Sequence, residues 1–334
     1  MRYSQLRLRK EQIRMKSKTK KERKKNRPTG KEILKSFKTQ RQMWLICAGA
    51  LLWVLVFCYI PMLGNVIAFF DYIPGKSLFE CKFIGLKNWI DFFSLPDMWR
   101  VFRNTLVISG LSMTIGFVMP IVFALLLNEI HHTVFKKAIQ TISYLPYFIS
   151  WVVVASILFT LLGTEGNINS ILLHFGWISK PISFLNEKNY FWGILTSANI
   201  WKDLGWSAII YISAIAGVDQ ELYQAGAVDG LGRFGKVWHI TLPGIKGTIA
   251  IMLILAIGQV VTNGSFDQIF NLYSSPVYQV GDTLDTYIFR ESFITGGLNY
   301  GYSTAIGMFK SVIGVIMITV SNKIVTAIGE NGLY

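Results

Sequence analysis

The sequence is poor in the residues on which metal and thiol chemistry depend, with three cysteines and four histidines in 334 residues. Cys47 and Cys58 lie in one apolar stretch and Cys81 stands alone in the next loop, so no disulfide and no metal site are predicted. The histidines form no His-Glu-x-x-His pattern, and no Gly-x-Ser-x-Gly elbow occurs. These absences argue against a metalloenzyme and a serine hydrolase.

A phosphate-binding loop is also lacking. Such a loop requires Gly-x-x-x-x-Gly-Lys-Ser/Thr, and the chain's Gly-Lys-Ser at residues 75–77 has Phe70 where the first glycine belongs. The chain is therefore not expected to hydrolyse ATP, and no cofactor is predicted for it.

Acidic residues are scarce at the amino-terminal end. Residues 1–41 hold 17 of the 33 Lys and Arg residues but 3 of the 19 Asp and Glu residues, which leaves 16 of each for the rest of the chain. This basic tail has no apolar stripe and is expected to be partly disordered. Nucleic-acid binding is one interpretation. An apolar stretch follows directly, which favours a cytoplasmic anchor that contacts anionic lipid headgroups, with no nucleic-acid partner.

Long apolar stretches dominate the remainder, in keeping with a hydrophobic content of 52%. A helix needs about 20 residues to cross a bilayer. Six stretches are long enough, at about 43–69, 104–128, 141–162, 190–215, 247–270 and 303–328. No period of two recurs in them, so helices are expected. The sequence predicts an all-α membrane protein with six transmembrane helices in a domain spanning 42–328.

The orientation of these spans follows from the basic tail. With residues 1–41 inside, six crossings bring the carboxyl-terminal end, 329–334, back to the cytoplasm. The loops near 129–140 and 216–246 are then cytoplasmic as well. We expect a multi-pass protein of the cell membrane with both termini inside.

The cytoplasmic loop at 217–245 is longer and more patterned than a simple connection needs. Residues 221–228 suit a short helix, Asp229 and Gly230 supply turn chemistry, and residues 234–240 form an amphipathic turn that Pro243 is expected to stop. The pattern predicts a helix-turn-helix on the membrane surface.

This loop resembles the EAA loop of binding-protein-dependent ABC importer permeases. That pattern reads Glu-Ala-Ala, then a glycine after three residues, then nine residues and Ile-x-Leu-Pro. Its places fall without a gap on Gln224, Ala225, Gly226, Gly230, Ile240, Leu242 and Pro243. Two positions depart from it, since Gln224 replaces the glutamate and Gly226 the second alanine. In such permeases the loop forms a coupling helix that rests in a cleft of the ATPase subunit.

The resemblance implies the same coupling role here for Glu221, Gln224, Ala225, Gly226, Ala227, Asp229, Gly230, Ile240, Leu242 and Pro243. Within that set, the contact with the ATPase is expected mainly from residues 224–230. Residues 234–243 are expected to pack this lever against the helix bundle.

Further segments narrow the resemblance, including YIPMLGNVIAFFDY, FIGLKNWIDFF, LLLNEI and QTISYLPYFISWVV. They are similar to maltose- and alginate-type permeases for oligosaccharides or polysaccharides, above all to those of Gram-positive bacteria. The resemblance implies a heterodimer with a second permease, two ATPase subunits that bind ATP and magnesium, and an extracellular solute-binding lipoprotein.

Polar side chains inside spans mark the expected substrate path, because they are costly in lipid and usually face a cavity or a partner. Tryptophan faces and planar polar groups together suit sugars. The candidates are Asn199, Trp201, Lys202, Asp203, Trp206, Gln259, Asn263 and Asp267. Contacts between helices, or anchoring at the membrane interface, would explain the same residues.

Three further residues, Tyr287, Arg290 and Glu291, lie in the last outer loop and are candidates for contact with the binding protein, although a surface ion pair would look the same. Lys310 and the Lys202-Asp203 pair leave room for an ion-coupled secondary transporter. Lys310 would alternatively pair with a carboxylate such as Asp267. A membrane scaffold that transports nothing is the third alternative.

Overall fold

The computed structural model describes residues 39–261, 265–294, 299–327, 329 and 332, so most of the basic tail and Asn263 lie outside the described residues. The chain divides into two compact units, one ending at Gly64 and the other beginning at Asn65. In the first unit, helix α1 spans Arg41–Val54. A π-helical turn, Leu55–Tyr59, and a last α-helical turn, Ile60–Met62, continue it.

The second unit opens with a short hairpin of β1 (Phe70–Asp71) and β2 (Lys82–Phe83), which pair antiparallel with Phe70 opposite Phe83. The helices that follow are α2 (Lys87–Ser94), α3 (Met98–Asn128), α4 (Thr133–Tyr144), α5 (Trp151–Leu162), α6 (Asn167–His174), α7 (Lys188–Ala216), α8 (Gln220–Val228), α9 (Arg233–Gln259), α10 (Phe266–Leu272), α11 (Leu284–Phe293) and α12 (Tyr300–Ala327). One-turn helical segments at Leu145–Phe148, Ser275–Val277 and Tyr278–Gly281 join some of them.

Five helical stretches among the described residues are long and apolar enough to cross a membrane. They are Arg41–Phe69, Met98–Asn128, Trp151–His174, Arg233–Gln259 and Tyr300–Ala327. The predicted fourth span, 190–215, falls in α7, which is 29 residues long but is not one of the five. It carries Lys188, Lys202 and Asp203, which lower its apolar character.

Two predicted spans differ from the helices that form. The stretch 141–162 is divided at Ile149 and Ser150, between the turn that contains Pro146 and the start of α5. The stretch 247–270 is not one helix either, because α9 begins at Arg233 and ends at Gln259, and Ser265 has a left-handed backbone with φ of 49° just before α10. The residues after Val261 read Thr-Asn-Gly-Ser, which are poor helix formers.

Pro243 does not stop a helix, contrary to the sequence prediction. It lies inside the continuous helix α9, directly after a π-helical turn at Val237–Thr241. A proline has no N–H and its ring collides with the carbonyl four residues earlier. The wider turn accommodates that ring. The same arrangement occurs in the first unit, where the π turn Leu55–Tyr59 precedes Pro61.

Helix α7 forms the centre of the second unit by packing along α3. Ala124 of α3 shares one buried cluster with Ala208, Tyr211 and Ile215 of α7. On another face, α7 approaches the end of α4 so closely that a Cβ atom at Gly205 would lie 2.2 Å from the backbone oxygen of Ser143. Only glycine fits at this crossing.

Helix α12 is held by two kinds of contact. It crosses α9 at Gly258, where an added Cβ would lie 2.2 Å from Cγ1 of Ile318. The ammonium of buried Lys310 pairs with the carboxylate of Asp285 on α11. The pairing with Asp267 that the sequence left open is therefore wrong. Asp267 is exposed on α10.

We predict that Gly205→Ala lowers the apparent unfolding midpoint of the protein in detergent, because the Ser143 backbone cannot move aside as a flexible side chain would. Gly193→Ala is a matched control in the same helix, since an added Cβ there meets nothing within 4 Å. Alanine has the higher helix propensity by about 1 kcal/mol, so the control should be neutral or slightly stabilising. Equal midpoints for the two variants would contradict the close crossing.

Candidate functional site

A polar cavity lies between α3, α7 and α9 in the second unit. Its volume is about 400 Å³. Apolar side chains such as Met113, Phe117 and Leu255 form part of its wall. The polar groups that line it are Ser109, Ser112, Asn199, Asp203, Ser207, Tyr211, Gln259 and Ser265. Ligand sites in proteins commonly combine an apolar wall with a few convergent polar groups.

Three of the predicted substrate-path residues meet in this cavity: Asn199, Asp203 and Gln259. Asn199 donates from Nδ2 to Oδ2 of Asp203 over 3.2 Å, as expected for residues one turn apart on a helix. The side of α7 that faces the cavity therefore carries hydrogen-bond donors and acceptors. The carboxylate of Asp203 lies near the middle of this helix.

Lys202 faces elsewhere, although it precedes Asp203 in the chain. Its side chain is buried, and Nζ donates a hydrogen bond of 2.5 Å to the backbone oxygen of Tyr147. The ammonium also lies 5.1 Å from the ring centre of Tyr147 and 5.7 Å from that of Trp151. Lys202 thus donates a hydrogen bond to a backbone carbonyl in the turn that separates α4 from α5. It does not line the cavity.

The predicted grouping of tryptophans with asparagines is not formed. Trp201 is half exposed and lines a separate apolar pocket between α5 and α7. Trp206 is stacked on Tyr147, with ring centres 4.5 Å apart and planes inclined by 7°. Neither tryptophan is among the residues that line the cavity. Trp206 lies close to the face of Asn199 and Asp203 by helical periodicity, but its ring packs against Tyr147 instead. Asp267 lies outside the cavity lining, and Asn263 is not among the described residues.

Several lining residues were not predicted from the sequence, among them Ser109, Ser112 and Gly116 on α3. An added Cβ at Gly116 would lie 3.8 Å from Oδ1 of Asn199. Small residues spaced by three or four positions within an apolar span indicate a helix face that packs closely against another helix or lines a polar cavity. This spacing in the sequence could have identified Ser109, Ser112 and Gly116.

The three predicted outer-loop residues, Tyr287, Arg290 and Glu291, line one groove of about 640 Å³. Asp91 and Asp97 line it as well. Tyr287 is largely buried, and its hydroxyl lies 3.1 Å from that of Tyr302. Burial raises the pKa of Tyr287. The groove therefore has an aromatic floor and an acidic rim.

Arg290 is fixed within this groove by a bidentate pair with Asp282, whose side chain is almost fully buried. The two N–O distances are 3.0 and 2.8 Å. The hydrogen bonds to this carboxylate raise the pKa of Arg290, so it stays charged. The sequence left open whether Arg290 forms an ion pair within the protein or contacts a binding protein. The structure shows an ion pair, between Arg290 and Asp282.

The 217–245 segment contains helix α8, a sharp turn and the start of α9. Asp219 caps α8 by accepting a hydrogen bond from the N–H of Glu221 over 2.9 Å. At the other end, the N–H of Leu231 donates to the oxygen of Gly226 and the N–H of Gly230 to that of Ala227. Gly230 has φ of +78°. This is a Schellman turn, which needs a left-handed residue at Gly230.

Gly226, which replaces the second alanine of the EAA pattern, is buried where α8 packs against α9, and this close packing favours a small residue. An added Cβ would lie 2.7 Å from Cδ1 of Ile240 and 3.1 Å from Cδ1 of Leu231. The hydroxyl of Tyr223 lies 3.0 Å from that of Thr241, which fixes the π turn of α9 to α8. A second alanine would therefore require the terminal methyl groups of Ile240 and Leu231 to move.

The other residues that were predicted to contact an ATPase differ in their exposure to solvent. Glu221, Gln224, Ala225, Ala227, Asp229, Gly230 and Pro243 are exposed, whereas Ile240 and Leu242 are half-buried. Phe234 and Trp238 are largely exposed, so the predicted packing of 234–243 holds for Ile240 and Thr241 but not for every residue in it. The face of α8 opposite Gly226 is open.

Comparison with known proteins decides the family. Residues 116–331 match the family described as "Binding-protein-dependent transport system inner membrane component". This chain belongs to that family. Protein LplB of Bacillus subtilis (strain 168) is 39% identical over 300 residues, covering 90% of this chain and 93% of LplB. The polygalacturonan/rhamnogalacturonan transport system permease protein YteP of the same strain is 39% identical over 305 residues, covering 91% and 94%.

A solved structure has the same fold over nearly the whole chain. It is the crystal structure of a bacterial alginate ABC transporter in complex with an alginate pentasaccharide-bound periplasmic protein. The TM-score is 0.81 at 34% identity, with 90% of this chain and 99% of that chain covered. The predicted resemblance to ABC importer permeases is therefore confirmed. The chain is a multi-pass membrane permease, a transport component and not a catalytic subunit.

We predict that Gly226→Ala, which restores the EAA residue, destabilises this permease by at most about 1 kcal/mol, the low end of the cost of overpacking, because the new Cβ meets only the terminal methyl groups of Ile240 and Leu231. Ile240→Val removes the Cδ1 atom that an alanine would meet, so the double variant should recover much of the loss. The apparent unfolding midpoints of the four proteins in a double-mutant cycle measure this coupling. Additive effects would show that Ile240 does not exclude a Cβ at residue 226.

Proposed function

We propose that this permease forms half of the translocation path of an ATP-driven importer and moves oligosaccharides, delivered by an extracellular binding protein, by alternating access. The observation that carries the proposal is the cavity between α3, α7 and α9, in a chain that matches a chain of an alginate ABC transporter over 90% of its length. Relatives described as carrying polygalacturonan and alginate support this substrate class.

Six membrane crossings belong to this proposal, with α7 as the one beyond the five apolar helices. At about 1.5 Å per residue its 29 residues are long enough to cross. Asn199 and Asp203 line the cavity, and Lys202 bonds to Tyr147 in the turn after α4, so these polar groups need not meet lipid. With the basic tail inside, both termini and the 217–245 segment are cytoplasmic.

Helix α8 is the proposed coupling helix. Its exposed side carries Glu221, Gln224, Ala225 and Val228, which suits a short helix laid into a groove of an ATPase subunit. Gln224 replaces the usual glutamate, so the contact depends on the shape of the α8 turn more than on a carboxylate at that position. ATP and magnesium are bound by two ATPase subunits, and a second permease completes the path.

A route from α8 to the cavity runs through one hydrophobic cluster. Ile215, Val218 and Ile245 form its buried part with Tyr211, and Tyr223 and Ile240 pack against it. Tyr211 also lines the cavity. A push on α8 would therefore reach the cavity wall through packed side chains, as rigid-body switching requires.

The outer groove of Tyr287, Arg290 and Glu291 is the proposed contact for the binding protein. Tyr287 and Arg290 are held by Tyr302 and Asp282, and Asp97 pairs with Arg100 over 3.0 Å, whereas Asp91 is an exposed carboxylate of the groove. A lipid-anchored binding protein would present basic or hydrogen-bond donor groups there.

Co-purification tests the assembly. Mild detergent extraction should yield this permease with a second permease and an ATPase, and the ATPase rate of that complex should rise with an oligosaccharide-loaded binding protein. An ion-coupled transporter would purify alone and would lose uptake with an uncoupler while ATP is present. A scaffold would show neither stimulation nor uptake.

We predict that Gly230→Val cuts transport at least about tenfold while the protein still inserts, because a β-branched residue with positive φ is strained by roughly 1–2 kcal/mol and would re-aim α8. No atom lies within 4 Å of the added Cβ, so the effect is on the backbone alone. Gly230→Asn is the matched control, since asparagine tolerates this conformation. Uptake by reconstituted complex is the measurement. Full uptake by the valine variant would exclude a coupling role for this turn.

A further inference from the structure

The charge of the polar cavity points to a narrower substrate class, and this inference rests on the proposed function. Asp203 is the one carboxylate among the described lining residues, and no lysine, arginine or histidine is among them. A carboxylate at mid-helix in a membrane span is costly and marks a functional position. The charges of the residues around Asp203 determine the electrostatic environment of a substrate in the cavity.

The cation closest in sequence does not enter the cavity. The Lys202 ammonium is bonded to the Tyr147 carbonyl and lies over the rings of Tyr147 and Trp151, on another side of α7. Asp203 itself accepts a hydrogen bond from Asn199, a neutral partner. Asp203 is therefore the one ionisable carboxyl group that this chain contributes to the described cavity wall, and neutral donors and acceptors lie beside it.

We propose that Asp203 is a specificity-determining residue that favours neutral or amino-bearing oligosaccharides and disfavours uronate-containing ones in this cavity. A carboxylate accepts hydrogen bonds from sugar hydroxyls and attracts an ammonium, whereas it repels the carboxylate of a uronic acid. Two like charges a few ångströms apart at the effective dielectric of a partly buried site disfavour binding by at least about tenfold.

This differs from the substrates that the relatives' descriptions name. Alginate is described as an acidic polysaccharide in a solved importer of this fold, and YteP is described for polygalacturonan and rhamnogalacturonan. A likeness of about a third in sequence fixes the fold but leaves individual cavity residues free to differ. The charge in the cavity is the more direct guide to substrate charge.

The test uses the complete importer in proteoliposomes, with its own ATPases, second permease and binding protein. Uptake of a linear galacturonic acid trisaccharide and of the neutral galactose trisaccharide with the same linkage is measured for wild type and for Asp203→Asn. The same binding protein delivers both sugars to both proteins, so its own preference cancels when the two uronate-to-neutral ratios are divided.

The expected result is a rise of about tenfold or more in the uronate-to-neutral ratio for Asp203→Asn. Asp203→Glu keeps the charge and should keep the wild-type ratio. Glu165→Gln makes the same change of charge at an exposed residue outside the cavity, and should leave the ratio unaltered.

An unchanged ratio in Asp203→Asn, with neutral uptake intact, would overturn this inference and leave the importer function standing. If no oligosaccharide raises the ATPase rate of the complex or enters the vesicles, the proposed function itself fails, which is a separate and recognisable outcome.

Discussion

The satisfaction of polar groups on α7 is the constraint on which the second unit depends. In the interior of a membrane bundle, an unpaired donor or charge is far more costly than in water. Lys202 meets that demand at the Tyr147 carbonyl, and Trp192 donates from Nε1 to the oxygen of Val280 over 2.8 Å. Gln268 of α10 donates to the oxygen of Leu195 over 2.6 Å. Each bond ties a different neighbour to α7, so this helix sets the positions of α4, α10 and the segments beside them.

Close backbone approach is the second device of this fold. Gly205, Gly226 and Gly258 each stand where a Cβ atom would overlap a neighbouring residue. At Gly205 and Gly258, such contacts let helices pack through dispersion forces where lipid offers no hydrophobic gain for association. The prolines at 61 and 243 follow π-helical turns, so the helices continue through them. The bundle thus gains its shape from small residues and wide turns at a few defined positions.

The coupling segment and the cavity belong to one packed body. Tyr211 belongs to the cavity wall and also to the cluster against which Tyr223 and Ile240 pack. Packed cores respond to displacement as units because they contain little free volume. A movement imposed on α8 would therefore reach the helix that carries Asn199 and Asp203, which is the physical basis of the coupling role proposed for α8.

By itself, the sequence determined the helical membrane class, the family resemblance and the turn at Gly230. Apolar length, charge placement and glycine spacing are local properties that a single segment already displays. The sequence also singled out Asn199, Asp203 and Gln259, because polar residues in apolar spans are conspicuous.

Only the tertiary structure decided which polar residues share a face with a neighbouring helix. It turned Lys202, Trp201 and Trp206 away from Asp203, paired Lys310 with Asp285, and continued α9 through Pro243. Those outcomes depend on helix rotation and on partners distant in the chain. Side-chain direction along a helix is periodic, but the absolute rotation of that helix is set by packing, which no local pattern records.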